Sequence, residues 1–351
     1  MSCRRPTNHK YLPIALFLLL FNWSCSSDNS PVVNSTESNG WLLNPTQSFP
    51  QKLSDLGVFD DLEAEISSEG IVPYAVRYPL FSDYNAKSRY LFLPLGSRID
   101  NTDPDNWVFP TGTGLIKTFY LTTLGANFAP RKKIETRVLH KGAGGWQAAV
   151  YQWNTTGGEA FKTDGFSIQI PFSLPGGPYD YSIPSRLSCL SCHRPKQDFV
   201  IGFEEIQLNT ASPVDGSAQI SYLRQLDLFL DAEALRAREI EAGNMREREA
   251  IGYIHGNCAN CHHPSSPMYV TTFLDLRHGS FKENTIGVEP VKFQSFNSTL
   301  KIVQPGNVSE SLIYLLMVDA EPNSSDRMPP IGTTMVDSVG VHLVQNWIEN
   351  L

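Results

Sequence analysis

Two copies of one short motif contain four of the six cysteines of this chain. "CLSCH" holds Cys189, Cys192 and His193, and "CANCH" holds Cys258, Cys261 and His262. Random placement of six cysteines and eight histidines in 351 residues gives about 0.002 C-x-x-C-H motifs. The spacing lets two thiols reach the two vinyl groups of a haem while the next residue presents its imidazole to the iron. The sequence therefore predicts two covalent haem c groups.

Other uses of paired cysteines explain these motifs less well. A structural zinc site made from both pairs would leave the two histidines without a role. A thioredoxin-type redox pair needs no trailing histidine and sits in a βαβ context, which the sequence lacks. Disulfides suit an oxidising compartment but make poor use of two-residue loops. Zinc, redox and disulfide readings stay open as the alternatives to haem.

A methionine near the C-terminus is the expected sixth ligand of the second haem. Met328 stands in "SSDRMPPIG", where two prolines hold the backbone extended and suit it to presenting a thioether across a haem face. Met268, Met317 and Met335 are the rival ligands. Met317 falls within the apolar periodicity of "SLIYLLMV", which favours a core position.

No methionine or histidine follows His193 closely enough to complete the first haem. A sixth ligand would have to come from His140, Met245, His255 or His278. His140 falls on a predicted strand, and His255 precedes the second motif on a predicted helix, where packing is the ordinary role. An open iron would permit chemistry, whereas a closed one permits electron transfer only.

The first 25 residues have the features of an export signal. Arg4, Arg5 and Lys10 precede the ten-residue apolar run "LPIALFLLLF", which is too short to span a bilayer as a helix. Cys25 follows this run, as in a bacterial lipoprotein signal, and would carry the lipid. Cleavage without lipid and an uncleaved anchor are the alternatives. We expect an exported protein on the periplasmic side of a bacterial membrane, held there by the lipid at Cys25.

The charge balance excludes one class of partner. The formal net charge is −8, and no run of Lys and Arg is longer than the three residues at 131–133, so nucleic acid binding is not expected. The carboxylates Glu204 and Glu205 and the charges of 231–249 are interpreted as solvated faces. The expected partners are a redox protein, as donor or acceptor, and the membrane.

Hydrophobic patterning divides the chain into β and α parts. Short runs such as "LIKTFYL", "ETRVLH" and "WQAAVYQW" are separated by turn residues at about ten-residue spacing, which predicts a sandwich-like β domain. The last stretch has Val344, Trp347, Ile348 and Leu351 at helical spacing, with Asp337 or Ser338 as N-cap. The predicted fold class is α+β multidomain, with an N-terminal β-rich domain followed by an all-α cytochrome c-type domain. The predicted boundaries are 1–25 signal, 26–48 flexible tether, 49–187 β-rich domain, 188–250 first haem motif with helical linker, and 251–351 cytochrome c-like domain.

The motif string resembles a known family. "VPYAVRYPLFSD", "FPTGTGLIKTF", "IPSRLSCLSCH", "IGFEEIQLN" and "MPPIGTTMVDSVGVHLVQNWI" are similar to exported bacterial proteins with a β-rich N-terminal region and two C-x-x-C-H motifs. Similar regions also occur as tails of some quinoprotein sugar dehydrogenases. The resemblance covers about residues 54–351. It implies haem attachment at both motifs with Met328 in a methionine loop, and it supplies no substrate or reaction.

Three classes of function fit these features. The first is a diheme c-type cytochrome that transfers electrons without bond-making chemistry of its own. The second is a haem enzyme of the diheme peroxidase or oxidase type, with an open first haem beside the β domain. The third is a binding module in which the β domain recognises a carbohydrate or a partner protein. The sixth ligand of the first haem discriminates between the first two.

Overall fold

Short antiparallel strands form most of the first half of the described chain. The computed structural model describes residues 43–44, 46–104, 106–121, 132–174, 177–193, 197–292, 299–319 and 327–351, with backbone alone for parts of 166–180 and for 191. In chain order the strands are β1 (Phe59–Asp61), β2 (Ile66–Ser67), β3 (Ile71–Pro73), β4 (Ala86–Phe92), β5 (Gly114–Leu121), β6 (Lys132–Gly142), β7 (Gly145–Trp153), β8 (Ala160–Thr163), β9 (Phe166–Leu174) and β10 (Gly177–Ile183). Strands β3 to β8 form one six-stranded meander, and β1–β2 and β9–β10 form separate hairpins.

Alternating side chains give the main sheet two different covered faces. Tyr90, Ile116 and Val138 are register partners on β4, β5 and β6, and their face packs against a core that includes Leu53 and Leu56. The alternate positions carry polar and charged as well as apolar side chains, and this second face meets the helical part of the molecule. Because both faces are covered, each strand alternates between two distinct environments.

The helices are short and lie mainly in the second half of the chain. They are α1 (Arg186–His193), α2 (Glu205–Leu208), α3 (Gln219–Gln225), α4 (Met245–Asn257), α5 (Tyr269–Thr272), α6 (Phe281–Thr285), α7 (Leu312–Val318) and α8 (Ser338–Glu349). Side-chain caps begin the two longest helices. Asn244 accepts a hydrogen bond from Glu247 N at the start of α4, and Asp337 accepts one from Gly340 N at the start of α8.

The C-terminal helix confirms most of its sequence prediction. Asp337 is its N-cap, and Val344, Trp347 and Ile348 are buried in the core of the helical part. Leu351 lies beyond the end of α8 and is exposed, so the buried apolar stripe ends at Ile348 and does not extend to Leu351 as predicted.

Helix α4 lies in close contact with the segment that precedes β4. A Cβ atom on Gly252 would overlap the ring of Tyr78, and one on Gly256 would overlap the Tyr78 carbonyl oxygen. The side chain of Asn257 accepts a hydrogen bond from Phe81 N at 2.7 Å. Tyr78 also belongs to the same hydrophobic core as Ile251 and Ile254. The helical part and the β part therefore share a core and a polar contact.

The predicted fold class is wrong. The strands form a single six-stranded sheet with two small hairpins rather than a two-sheet sandwich, because the segment before β3 covers one face and the helical part covers the other. The C-terminal region is not an all-α cytochrome c-type domain either. Between α4 and α8 the described chain consists of short helices, loops and isolated parallel bridges such as Ile286–Val303 and Lys301–Ser311. The described residues all belong to one compact unit.

The predicted export signal, Cys25 and most of the predicted tether lie outside the described residues. At the end of the tether, Leu43 is buried in the core beneath the sheet. Within the part of the chain that is described, no helix combines the length and apolarity needed to cross a membrane.

Substitution of Gly256 tests the contact between α4 and Tyr78. We expect Gly256→Ala to lower the free energy of unfolding by about 1–3 kcal/mol, because the added methyl group meets a backbone oxygen that has little room to retreat. Gly279→Ala is the matched control, since a Cβ atom there has no neighbour within 4 Å, and it should change stability by less than about 0.5 kcal/mol. Urea unfolding of both variants measures the difference. Equal stability of the two variants would contradict the close contact.

Candidate functional site

A cavity of about 690 Å³ lies between the second face of the sheet and the helical part. This volume falls in the upper part of the range of about 300–1,000 Å³ that is usual for sites of small molecules and cofactors. Both sequence motifs line it, with all six of their functional residues: Cys189, Cys192, His193, Cys258, Cys261 and His262. The two motifs are therefore parts of one site.

The first motif is carried entirely by α1, directly after the β9–β10 hairpin. The hydroxyl of Ser185 accepts a hydrogen bond from Ser188 N and caps the helix. Cys189 packs against a small core that includes Val150 of β7 and Tyr181 of β10. The hairpin and β7 thus hold α1 against the sheet with its motif at the cavity.

The ring of His193 is oriented by a backbone carbonyl. Its Nδ1 donates to the oxygen of Phe199 at 2.8 Å, which leaves Nε2 with a free lone pair. Burial lowers the pKa of His193 to about 4, against the smaller opposing effect of the Phe199 hydrogen bond. The imidazole is therefore neutral at neutral pH, as metal ligation requires.

The second motif follows the end of α4 in a tight turn. Cys258 N donates to Ile254 O at 2.7 Å, and His262 N donates to Cys258 O at 3.0 Å. The side chain of His262 is buried, and its Nδ1 has no hydrogen-bond partner among the described residues. Burial lowers the pKa of His262, so this imidazole is neutral as well. A neutral imidazole at the cavity wall fits the role of an iron ligand.

The sulfur atoms of the two motifs approach each other across the cavity. Cys192 Sγ and Cys261 Sγ are 4.0 Å apart, and all four motif cysteines are free thiols. Burial raises the pKa of Cys258 to about 12 and also raises that of Cys189. The pKa of Cys261 is raised mainly by its contact with Cys192. Three of the four thiols thus have a raised pKa, and the sulfur atoms of Cys192 and Cys261 lie close together.

The arrangement differs from that of a structural zinc site. Over the described ranges, no three His, Cys, Asp or Glu side chains converge on a point where they could bind a metal ion. Haem attachment needs from each motif one imidazole for the iron and two thiols for the vinyl groups, because the porphyrin supplies four of the iron's ligands. The residues present therefore fit haem c.

The predicted methionine loop reaches the same cavity. Met328 lines it, and so do the rivals Met268 and Met317. Met317 is buried in the core on α7, as its periodicity predicts. The remaining rival, Met335, is not among the residues that line the cavity. Its backbone nitrogen donates a hydrogen bond to the Asp83 carboxylate at 2.9 Å.

Two buried charges fix the loop that presents Met328. The carboxylate of Asp83 accepts hydrogen bonds from the backbone nitrogens of Thr334 and Met335, each at 2.9 Å. The guanidinium of Arg327 donates to Thr333 O at 2.9 Å and to Met335 O. Met328 N donates to Leu316 O at 2.9 Å. The loop is therefore tied both to the segment before β4 and to α7.

Only one of the four candidate ligands for the first haem lines the cavity. His140 lies on the other face of the sheet, beside Phe49, and Met245 is 73% exposed. His278 contacts the ring of His255. His255 lines the cavity, with Nε2 2.8 Å from a carboxylate oxygen of Glu204 and Nδ1 accepting from His278 N.

Several residues of the cavity wall carry no sequence signal. The prediction that Glu204 and Glu205 form a solvated face is wrong, because Glu204 lines the cavity and Glu205 is buried. Basic side chains of three neighbouring strands, Arg89, Lys117 and Arg137, also line it. They are 20 or more residues apart in the sequence, so only the register of the sheet brings them together.

Comparisons with protein-family models, with curated proteins and with solved structures find no match for this chain.

Oxidation of the haem-free chain tests whether the two motifs meet. An S–S bond of about 2.0 Å needs only a small movement of sulfur atoms that are 4.0 Å apart. We therefore expect a thiol oxidant to join Cys192 to Cys261, with the linked peptides identified by mass spectrometry. Cys192→Ser should abolish this product. Disulfides formed only within each motif, between Cys189 and Cys192 or Cys258 and Cys261, would contradict the convergence.

Proposed function

We propose that this protein is an exported diheme c-type cytochrome that transfers electrons through two covalently bound haems. The observation that carries the proposal is that two C-x-x-C-H motifs, distant in the sequence, line one cavity with two of their sulfur atoms 4.0 Å apart. One-electron redox chemistry would be supplied by the haem c groups when they are bound.

The chain's own residues would hold, orient and shield these groups. Cys189 and Cys192 would fix one haem and Cys258 and Cys261 the other, with His193 and His262 as iron ligands. The hydrogen bond from Nδ1 to the Phe199 carbonyl would fix the His193 ring and leave the Nε2 lone pair available to the iron. Apolar wall residues, among them Leu276 and Ile302, would exclude water. Low local polarity is one of the means by which a protein sets a haem potential.

The location and partners belong to the same proposal. The apolar run at 12–21 and the cysteine that follows it support export and a lipid anchor at Cys25 on the periplasmic side of a bacterial membrane. Haem c attachment outside the cytoplasmic membrane is consistent with export. A redox protein would then be the donor or acceptor, and the negative net charge argues against nucleic acid.

The surroundings of His255 support a second candidate, a haem enzyme of the peroxidase or oxidase type. Both ring nitrogens of His255 are engaged, by Glu204 and by His278 N, so His255 would have to lose a hydrogen bond to ligate the first iron. His193 would then hold the first iron without a ligand from His255, and the His255–Glu204 pair would be available for proton transfer in the same cavity. A high-spin ferric signal in the air-oxidised protein would favour this enzyme over a pure electron carrier.

Haem stoichiometry tests the proposed function directly. Pyridine haemochrome assay should give two covalent haems per chain, because each motif is intact. Replacement of Cys189 and Cys192 by alanine should leave one haem, and replacement of Cys258 and Cys261 should leave the other. His140→Ala is the control, since the ring of His140 lies on the opposite face of the sheet. This variant should keep both haems. A wild-type chain with fewer than two haems would refute the proposal.

Replacement of Met328 tests the sixth ligand of the second haem. Met328→Ala should remove the weak sulfur-to-iron charge-transfer band at the red end of the visible spectrum and lower the potential, since a thioether favours reduced iron. Covalent attachment should be unchanged, because the thioethers come from Cys258 and Cys261. Met317→Leu is the control: it should keep the band and cost at most about 1.5 kcal/mol of packing. Loss of the band in Met317→Leu, with the band intact in Met328→Ala, would identify the other methionine.

A further inference from the structure

Three basic residues form a straight row across the cavity-facing side of the sheet. Arg89 on β4 is the register partner of Lys117 on β5, and Lys117 is the partner of Arg137 on β6. Residues that are directly opposite on neighbouring strands point to the same face. All three line the cavity that also holds both C-x-x-C-H motifs. We refer to Arg89, Lys117 and Arg137 as the cationic row.

Only one member of the cationic row has an acidic partner in the described chain. Arg137 binds the carboxylate of Glu135 through two hydrogen bonds of 2.6 and 3.1 Å, and Tyr181 donates to the same carboxylate. Among the described residues, no carboxylate reaches Arg89 or Lys117 by hydrogen bond or ion pair. Lys117 Nζ lies 5.0 Å from the centre of the Phe119 ring, and the Arg137 guanidinium lies 4.2 Å from it.

A fourth cation adds to the imbalance. Lys87 precedes Arg89 by two positions on the same face, and its Nζ donates to Leu80 O at 2.5 Å. Asp83 and Asp337 partly offset this charge from outside the sheet. Burial lowers the pKa of Lys117 well below its usual value, and the charges of Arg89, Lys87 and Arg137 lower it further. This face of strands β4 to β6 thus has four basic side chains for the one buried carboxylate of Glu135, while the Glu204 carboxylate in the cavity wall binds His255.

Burial and like charge lower the pKa of Lys87 and Lys117, and an anion in the cavity would stabilise the charged form of this wall. Like charges directly opposite on adjacent strands destabilise a sheet, and charges removed from water are normally paired. Arginine is suited to planar, bidentate binding of carboxylates, and lysine binds them as a point charge. The ligand that this wall would bind is therefore a carboxylate or a group of similar charge and shape.

We infer that the cationic row binds the propionate carboxylates of a haem held in this cavity. The inference rests on the proposed function, because it assumes haem attachment at the motifs. The vinyl groups and the propionates of haem lie at opposite edges of the porphyrin. The second motif provides its thiols from the end of α4, whereas the cations come from the sheet, so for a haem attached at Cys258 and Cys261 the two kinds of protein group belong to different parts of the cavity wall. The first motif lies beside the cationic row, because Cys189 packs against the cluster that contains Val150, the register partner of Arg137.

The test compares haem potentials in single variants that each remove one cation. The variants are Arg89→Gln and Lys117→Gln, since replacing Arg137 would leave the carboxylate of Glu135 buried without its partner. Arg98→Gln is the control: it removes the same charge from a surface ion pair with Asp227. Lys117→Arg keeps the charge and should retain the wild-type behaviour. Spectroelectrochemical titration at several pH values gives the potentials, and pyridine haemochrome assay gives the haem content of each variant.

The expected signature is a potential that becomes dependent on pH. In the wild type, propionates paired with the cationic row stay ionised, so their haem should have a nearly constant potential between about pH 5 and 8. Loss of a cation raises the propionate pKa into that range. The potential of Arg89→Gln and of Lys117→Gln should then fall as the pH rises, and at neutral pH it should lie below that of the wild type. Arg98→Gln should match the wild type.

The outcomes separate this inference from the proposed function. Two haems in every variant, with potentials and pH profiles unchanged, would overturn the inference and leave the cytochrome proposal standing. Absence of covalent haem from the wild type would overturn both. An equal shift of the haem potential in Arg98→Gln would show a general effect of net charge and would overturn the inference about the cationic row. A wild-type potential that responds to added inorganic phosphate, with the response lost in Lys117→Gln, would assign the row to a free anion instead.

Discussion

The close contact between α4 and the Tyr78 segment is the constraint on which the site depends. Glycine at 252 and 256 lets the helix approach the ring and the carbonyl of Tyr78. The side chain of the next residue, Asn257, accepts a hydrogen bond from Phe81 N. Because Cys258 directly follows this helix, the contact sets the position of the second motif relative to the sheet.

The same segment also holds the other parts of the cavity wall. The amide of Gln207 binds both the nitrogen and the oxygen of Tyr78, at 2.9 and 3.1 Å. The carboxylate of Asp83 binds the methionine loop at Thr334 and Met335. A short stretch before β4 therefore links the region after the first motif, the helix before the second motif, and the loop that presents Met328. Buried hydrogen bonds of this kind specify one arrangement, since an unpaired partner would cost about 1–3 kcal/mol.

Local patterns in the sequence were enough to find the motifs and several elements, but not the architecture. The run "QAAVYQW" lies in β7, and Asp337 caps α8, because alternation and capping are properties of neighbouring residues. The sandwich and the all-α domain were wrong, since what covers each sheet face depends on distant segments. The solvated face predicted for Glu204 was wrong for the same reason, because its partner His255 is distant in the sequence. The cationic row was not predicted, because only the strand register brings its members together.

The central claim is that the two motifs place two haems in one cavity, and magnetic interaction between the irons tests it most directly. The measurement is the EPR spectrum of the oxidised wild-type protein, compared with the spectra of the two variants that each retain one motif. Haems that share this cavity should be coupled, so the wild-type spectrum should differ from the sum of the two single-haem spectra in line shape and relaxation. A wild-type spectrum equal to that sum would contradict the account.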